Sequence, residues 1–328
     1  MIRFGTIGTS WITEEFIRCA SLTGDFTLSA VYSRELEKAK AFAAKHGANH
    51  VFTNLDAMAQ SDVIDAVYLA SPNSHHAGQA MLFLANHKHV LCEKPMASNV
   101  TECSAMIDTA RKNQVLLMEA MKSTFLPNFK SVQENLPKIG KIRKVFSNYC
   151  QYSSRYDIFK AGRHINTFDP AFANGSIMDI GVYCIYPVIF LFGSPEAVSA
   201  NATILESGID GCGSITLHYP DMEAIISHSK ISDSFISSEI QGEKGNILID
   251  KISTQDNVKI IYRDGSTEDI TRKQSADIMY YEAQEFINLI KAKRTESTVN
   301  SFSLALAVAE VMETARRQIG LIFPADKQ

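Results

Sequence analysis

The sequence has 328 residues, of which 45% are hydrophobic and 21% charged, and its formal net charge is −4. This length and composition are typical of a globular protein with two domains, and the slightly acidic balance argues against a surface for nucleic acid or anionic lipid. No apolar run approaches the roughly 18 residues of a membrane span, and the first residues lack the pattern of a signal peptide. The six cysteines show no CxxC spacing, which favours reduced thiols over disulfides or a zinc site. We therefore expect a cytoplasmic protein that binds no metal, nucleic acid or membrane.

In the first 120 residues, short apolar runs alternate with amphipathic stretches of helical period. The apolar runs predict strands at residues 2–7, 27–32, 66–70, 89–92 and 115–118. The stretches between them predict helices at residues 12–21, 35–46, 75–85 and 99–112. Strands that alternate with helices form βαβ units with right-handed crossovers and a parallel sheet. Residues 1–120 are therefore predicted to form an α/β domain of the Rossmann type.

From residue 121 to 328 the pattern changes to strands that follow one another without helices between most of them. These predicted strands lie at residues 141–152, 198–205, 214–218, 223–230, 237–241 and 246–249. Such a succession predicts a large, mostly antiparallel sheet, so the fold class is α/β plus α+β. Two helical patterns, at residues 276–293 and 301–318, close the chain, and the C-terminal helix is expected to pack back on the first domain.

The first predicted strand is followed by a turn that opens the first helix, with the residues Gly8, Thr9, Ser10, Trp11 and Ile12. This is the place of the glycine-rich dinucleotide loop, where free helical N–H groups attract a pyrophosphate. However, Ser10 and Thr13 stand where the second and third glycines are usual. An ordinary strand–turn–helix start explains the segment equally well.

The end of the second strand indicates which dinucleotide would bind. NAD enzymes usually carry an acidic residue there to accept a hydrogen bond from the ribose 2′-hydroxyl, whereas this chain has Ser33 and Arg34, with Lys38 one turn later. The planar guanidinium of arginine suits a 2′-phosphate, which favours NADP(H) over NAD(H). The alternative is a solvated first helical turn with no ligand.

Two further strands end in polar residues on the side where ligands of open α/β sheets bind. One ends in Glu93-Lys94-Pro95, and a lysine there is able to polarise a carbonyl oxygen as hydride arrives, oriented by Glu93. The other is followed by the loop that contains Ser71, Pro72, Asn73 and His76. These loop residues either contact the cofactor or serve as loop and helix-cap residues, with Asn73 or Ser74 as the cap.

In the second half, Asp179 and Tyr183 are four positions apart and would share one face of a helix. A carboxylate and a phenol opposite a lysine form a workable set of groups for proton transfer, because a nearby ammonium favours the phenolate. Taken alone, the spacing favours a simpler interpretation, in which Tyr183 packs in the core and Asp179 caps the helix.

The order and spacing of these segments resemble the glucose–fructose oxidoreductase/inositol dehydrogenase (Gfo/Idh/MocA) family over most of the chain, and within it the dimeric dihydrodiol dehydrogenase and D-xylose dehydrogenase branch. The segments that carry the resemblance are Gly8-Thr9-Ser10, Ser71-Pro72-Asn73-Ser74-His75-His76, Lys88-His89-Val90, Glu93-Lys94-Pro95, Glu119-Ala120-Met121, Asp179-Ile180-Gly181-Val182-Tyr183 and Gln241-Gly242-Glu243-Lys244-Gly245.

The resemblance implies that Lys94 is catalytic and contacts the nicotinamide ribose and the substrate, and that Asp179 and Tyr183 complete the site with Tyr183 as acid/base. Other branches, which act on inositols, have histidine at the position of Tyr183, so the tyrosine argues against a plain inositol dehydrogenase. Met121, Arg163 and His164 are candidates to line the substrate site. The resemblance also implies a substrate-binding and oligomerisation domain at residues 121–328, a homodimer or homotetramer formed through its sheet, and no metal.

The resulting hypothesis is reversible hydride transfer between NADP(H) and a CH–OH or C=O group of a sugar or cyclic diol, as in a D-xylose or trans-dihydrodiol dehydrogenase. Two rivals stay open. One is a regulator that binds NADP(H) without catalysis, although the presence of Lys94, Asp179 and Tyr183 together counts against it. The other is a glycosidase of the same family that recycles its cofactor.

Overall fold

The structure is a computed structural model and describes residues 1–327. The contacts between residues divide the chain into two compact units. The first consists of Met1–Lys122 and Ser275–Ala305, and the second of Ser123–Gln274 with the described residues from Leu306 onward. The chain thus returns to the first unit at Ser275, whereas the sequence predicted residues 121–328 as one domain.

Six strands and five helices lie before Lys122. The strands are β1 (Ile2–Ile7), β2 (Phe26–Tyr32), β3 (His50–Phe52), β4 (Ala66–Leu69), β5 (His89–Glu93) and β6 (Leu117–Ala120). The helices are α1 (Trp11–Ser21), α2 (Leu36–His46), α3 (Leu55–Ala59), α4 (His76–Ala85) and α5 (Val100–Asn113). The sheet is parallel throughout, in the order β3-β2-β1-β4-β5-β6, so its strand order reverses between β1 and β4. The predicted parallel sheet is confirmed, although β3 and α3 were missed.

The second unit is built on an eight-stranded sheet. Between Ser123 and Gln274 the helices are α6 (Pro127–Asn135), α7 (Tyr156–Lys160) and α8 (Val182–Phe192). A π-helical turn, Ile177–Gly181, leads into α8. Its strands are β7 (Ile142–Cys150), β8 (Ala197–Ile204), β9 (Asp210–His218), β10 (Glu223–Ser229), β11 (Ser238–Gly242), β12 (Gly245–Ile249), β13 (Val258–Tyr262) and β14 (Thr267–Asp269). The strand order is β14-β13-β12-β11-β7-β10-β9-β8. Among the described pairings of this second sheet, only β7–β10 is parallel, so the predicted mostly antiparallel sheet is confirmed.

The two faces of this sheet differ in burial. In the central strands, Val145, Ala224 and Ile240 are paired neighbours and all are buried. Their sequence neighbours Phe146 and Ile225 point to the opposite face and are only partly buried. One face therefore carries the core, against which α8 packs, and the other is left open within the unit.

Two helices close the chain, α9 (Met279–Lys291) and α10 (Phe302–Gln318). α9 packs against α1 in the first unit. The buried residues of α9 are spaced three and four apart, which is the buried stripe of an amphipathic helix. They are Met279, Glu282, Ala283, Phe286 and Ile287.

One stretch of the described chain, Pro170–Phe192, is long and apolar enough to cross a membrane. The prediction that no segment has this length and composition is therefore wrong. However, 72% of its most apolar window is buried inside the protein, as expected for the core helix of a globular unit.

Candidate active site

The turn after β1 is shaped by Gly8. Its φ is +108°, and a Cβ at this position would lie 2.5 Å from the carbonyl oxygen of Ala70, at the end of β4. Any larger residue would push these two loops apart. Ser10 precedes α1 in an extended conformation and makes no side-chain capping bond, and Trp11 is 70% exposed. The N-terminal N–H groups of α1 are therefore presented without a side-chain cap, as an anion site requires.

The end of β2 carries exposed positive charge. Arg34 and Lys38 are both exposed, and the nearby Glu37 forms its ion pair with Lys40, at 2.8 Å. Within the described residues 1–327, no ion pair engages Arg34 or Lys38. Ser33 uses its hydroxyl oxygen to accept a weak bond from the N–H of Glu35, at 3.3 Å. This cation pair is suited to a phosphate.

The loop after β4 is tied to the Lys94 segment by a buried histidine. His76 is fully buried, with Nδ1 3.0 Å from the carbonyl oxygen of Pro95 and Nε2 2.9 Å from that of Ser71. Its ring thus positions both loops, and direct contact with a cofactor stays a prediction for this residue. Pro72 and Asn73 lie at a short 3₁₀ turn, and the residue that precedes α4 as its cap is His75, so the prediction that Asn73 or Ser74 caps this helix is wrong.

Lys94 follows the last residue of β5 and is positioned through its neighbour Glu93. The Glu93 carboxylate accepts a bond from the N–H of Lys94 at 3.3 Å and another from the hydroxyl of Tyr68. Burial raises the pKa of Glu93, although the charge of Lys94 and the Tyr68 hydroxyl act against this. Tyr68 is fully buried, and its ring is stacked on that of Phe16 with 3.8 Å between centroids. The backbone of Lys94 is therefore linked to the core through Glu93 and Tyr68.

A second carboxyl group lies in the same unit and was missed from the sequence. Glu282 of α9 is fully buried, and neither of its oxygens has a hydrogen-bond partner among residues 1–327. Burial raises the pKa of Glu282 well above its usual range, the charge of Glu93 adds to this, and Lys122 opposes it. An acidic residue on the apolar stripe of a predicted helix was the available signal.

In the second unit, Asp179 and Tyr183 lie on one continuous helical segment. Asp179 is in the π-helical turn and Tyr183 in the first turn of α8, so both lie on a helix as the spacing predicted, although the turn that carries Asp179 is π-helical. The Tyr183 ring packs edge-on against Tyr149, with 5.7 Å between centroids. Tyr183 is partly buried, and Asp179 forms an ion pair instead of capping a helix.

The partner of Asp179 is Lys230, which directly follows β10. Its Nζ lies 3.0 Å from Asp179 Oδ2, and the lysine side chain is only 1% exposed against 38% for the aspartate. Behind this pair lie two more buried groups that the sequence analysis missed, Asp210 and His228. Burial raises the pKa of Asp210 to about 7 and lowers that of His228 to about 4. No motif in the sequence marks Lys230, Asp210 or His228. These three residues come together only through the pairing of β9 with β10.

The remaining predicted residues are spread over both units. Met121 is fully buried, and its carbonyl accepts a bond from Asn300 at 3.3 Å, so its side chain packs in the core and contact with a substrate stays a prediction. Arg163 and His164 are exposed, and His164 Nε2 lies 2.5 Å from Asp169 Oδ2. Within the described chain, no group of three or more His, Cys, Asp and Glu residues is arranged to hold a metal ion.

Comparison with known proteins identifies the family. Residues 2–121 match the family model described as "Oxidoreductase family, NAD-binding Rossmann fold", and residues 137–248 match the GFO/IDH/MocA C-terminal domain. The chain is 54% identical over 327 residues to the scyllo-inositol 2-dehydrogenase (NADP(+)) IolU of Bacillus subtilis, with 100% of both chains covered. It is 28% identical to the trans-1,2-dihydrobenzene-1,2-diol dehydrogenase of Mus musculus, covering 100% of this chain and 99% of the other.

Among solved structures, the fold matches the 3-ketoreductase KijD10 of Actinomadura kijaniata, in complex with NADP and TDP-benzene. The TM-score is 0.84 at 21% identity, with 97% of this chain and 98% of that chain covered. With both domains matched, the chain belongs to the GFO/IDH/MocA family of oxidoreductases.

Proposed function

We propose that this protein is an NADP(H)-dependent dehydrogenase that interconverts a CH–OH and a C=O group on a cyclic polyol, with scyllo-inositol as the first substrate to test. The observation that carries the substrate class is the 54% identity, over the full length of both chains, to a scyllo-inositol 2-dehydrogenase (NADP(+)). D-xylose and a trans-dihydrodiol are the other candidates, and the 28% identity to dihydrodiol dehydrogenases supports the latter.

The residues of the first unit fit NADP(H). Gly8 leaves room for close backbone approach at the uncapped start of α1, and Arg34 and Lys38 supply exposed positive charge where a 2′-phosphate would lie. We propose that the pyrophosphate binds at Thr9, Ser10, Trp11 and Ile12, and that Ser33, Ser71, Pro72, Asn73, Glu93 and Lys94 complete the cofactor site. When bound, NADP(H) supplies or accepts the hydride.

We assign a separate role to each polar side chain. Tyr183 Oη exchanges the proton with the substrate oxygen, and Lys94 favours the phenolate form of Tyr183 and polarises that oxygen. Asp179 orients a substrate hydroxyl. Anchoring of Lys94 through Glu93 and Tyr68 supports its role, because a catalytic group must be held in place before the substrate arrives.

The test is a spectrophotometric assay of the purified protein with NADP⁺ and scyllo-inositol, myo-inositol, D-xylose or a trans-dihydrodiol. We expect reduction of NADP⁺ with scyllo-inositol, and a fall in turnover of about 1000-fold in Lys94→Met, while NADPH binding measured by fluorescence persists. NADPH binding without turnover of any of these substrates indicates the alternative of a regulator that binds NADP(H) without catalysis. Release of free sugar from a glycoside without a change in nicotinamide absorbance indicates the glycosidase.

We also propose that the protein is a homodimer or homotetramer. The open face of the second sheet carries partly buried apolar side chains, Phe146 and Ile225 among them, and such a face is usually covered by a partner. Light scattering of the purified protein measures the mass, and a monomer would contradict the proposal. The six cysteines are free, which fits our placement of the protein in the cytoplasm.

A further inference from the structure

The side chain of Lys230 is a buried cation with defined partners. Its Nζ lies 3.0 Å from Asp179 Oδ2, donates to the carbonyl oxygen of Thr167 at 2.9 Å, and sits 4.9 Å from the centre of the Phe168 ring. An ammonium loses its hydration when it is buried, and only charge pairing and good hydrogen bonds compensate for that loss. The side chain therefore has one strongly preferred position.

The exposure of the two partners is unequal, and this asymmetry points to a role. The Lys230 side chain is 1% exposed, whereas that of Asp179 is 38% exposed. Lys230 thus does not reach solvent, whereas the Asp179 side chain stays partly accessible. The pair thus joins a fixed, buried ammonium to a carboxylate that stays accessible to a ligand.

The other charged groups around Lys230 do not replace Asp179 as its partner. Asp210 Oδ2 accepts a bond from the N–H of Ile177 at 2.7 Å and lies 3.9 Å from His228 Nδ1, and His228 Nδ1 in turn lies 2.8 Å from Ser176 Oγ. Lys230 acts on Asp210 through its charge, but its direct ion pair is with Asp179.

We propose that Lys230 is a positioning residue, which holds the carboxylate of Asp179 in place to receive a hydroxyl group of the polyol substrate. This inference rests on the proposed function and names a residue that acts through Asp179. A carboxylate that accepts from a hydroxyl makes a charge-assisted bond, which depends strongly on orientation. Without Lys230, the Asp179 carboxylate loses the ammonium that orients its Oδ2 and is expected to bind the substrate hydroxyl less well.

The test is a double-mutant cycle on the KM for scyllo-inositol. Lys230→Met should raise this KM by about 10- to 100-fold, with kcat changed less and the KM for NADP⁺ unchanged. Asp179→Asn should raise the same KM, and Lys230→Met should add nothing further in that background. A merely structural role would lower the amount of active enzyme without raising the KM for one substrate.

A matched control is available in the same unit. Lys141 pairs with Asp221 at 3.0 Å, and both side chains are exposed, so Lys141→Met should leave both KM values unchanged. If Lys230→Met does not fold, Lys230→Gln keeps a donor for the Thr167 carbonyl and should show the same rise in KM.

The outcomes separate the two proposals. An active wild type together with an unchanged KM in Lys230→Met, or with additive effects of Lys230→Met and Asp179→Asn, overturns the role of Lys230 alone. A wild type that turns over none of the polyols, sugars and diols overturns the proposed function, and the role of Lys230 in it.

Discussion

The buried pair of Asp210 and His228 leads to a prediction about pH and stability. Asp210, at the start of β9, is fully buried, and so is the His228 side chain on the neighbouring strand β10. Burial raises the pKa of Asp210 to about 7, against about 3.9 in an unfolded chain. Burial lowers the pKa of His228 to about 4, against about 6.5 when unfolded. Near pH 6 the folded protein therefore holds both groups in their neutral forms.

The two groups have opposite effects on stability. Between about pH 4 and 6.5, folded Asp210 keeps a proton that the unfolded chain has released, so its contribution lowers the free energy of unfolding by about 1.4 kcal/mol for each pH unit of increase. Over the same range the unfolded chain binds a proton at His228 that the folded state lacks, so that contribution rises with an equal slope. In the wild type the two slopes cancel, and above about pH 6.5 only the fall due to Asp210 continues, to about pH 7.

Asp210→Asn removes the pH-dependent contribution of Asp210 to stability and leaves that of His228. The amide oxygen still accepts from the N–H of Ile177, but the side chain no longer titrates. The difference in free energy of unfolding, variant minus wild type, should therefore increase by about 2 kcal/mol from pH 5 to pH 6.5. For a chain of this length that corresponds to about 3 °C in Tm.

Urea denaturation followed by circular dichroism measures this difference, since the single tryptophan, Trp11, is exposed and reports poorly on the core. His228→Gln serves as the reciprocal variant, and its stability relative to the wild type should fall over the same pH range. Charges that face the pair, above all Lys230, stay in both variants. A difference between Asp210→Asn and wild type that is constant from pH 5 to 6.5 would show that folded Asp210 is ionised, and would refute the reasoning.

Two further predictions concern the first unit. Arg34→Ala should raise the KM for NADPH by about 10- to 100-fold, because a bidentate phosphate contact is lost, and should leave the KM for NADH unchanged; equal effects on both cofactors in a steady-state assay would contradict the assignment. Glu282→Gln should raise the free energy of unfolding by about 1–3 kcal/mol at pH 8, because the unfolded chain releases the Glu282 proton there, whereas burial makes this release costly in the folded protein. The pKa of Glu282 is raised in the folded state, so its contribution to stability is lost as pH rises and the advantage of the variant in urea denaturation should be smaller at pH 6.

Much of the fold follows from local patterns. The alternation of apolar runs and amphipathic stretches predicted the parallel sheet, and the succession of strands after residue 140 predicted the second sheet. The strands β3 and β14 were not predicted, because three residues carry little periodicity. β13 was also missed, and its formation depends on pairing with β12 and β14.

The order of motifs along the chain also determined the family and the candidate residues Lys94, Asp179 and Tyr183. The apolar run of β5 and the polar residues after it predicted where this strand ends, and therefore that Lys94 lies at its end. The end of the second strand carries Ser33 and Arg34 in place of an acidic residue, and this indicated NADP(H) for the same reason, since a strand end and its next residues are neighbours in the chain.

Only the tertiary structure decided which charges are buried and what they pair with. Lys230 meets Asp179 across 51 positions of sequence, and His228 meets Asp210 through the pairing of β9 with β10. Burial and ion pairing depend on packing between distant segments, which no local pattern encodes. The sequence by itself thus determined the family, the two sheets and the position of the candidate lysine Lys94, whereas the buried groups behind Asp179 and the buried acid Glu282 became visible only in the folded chain.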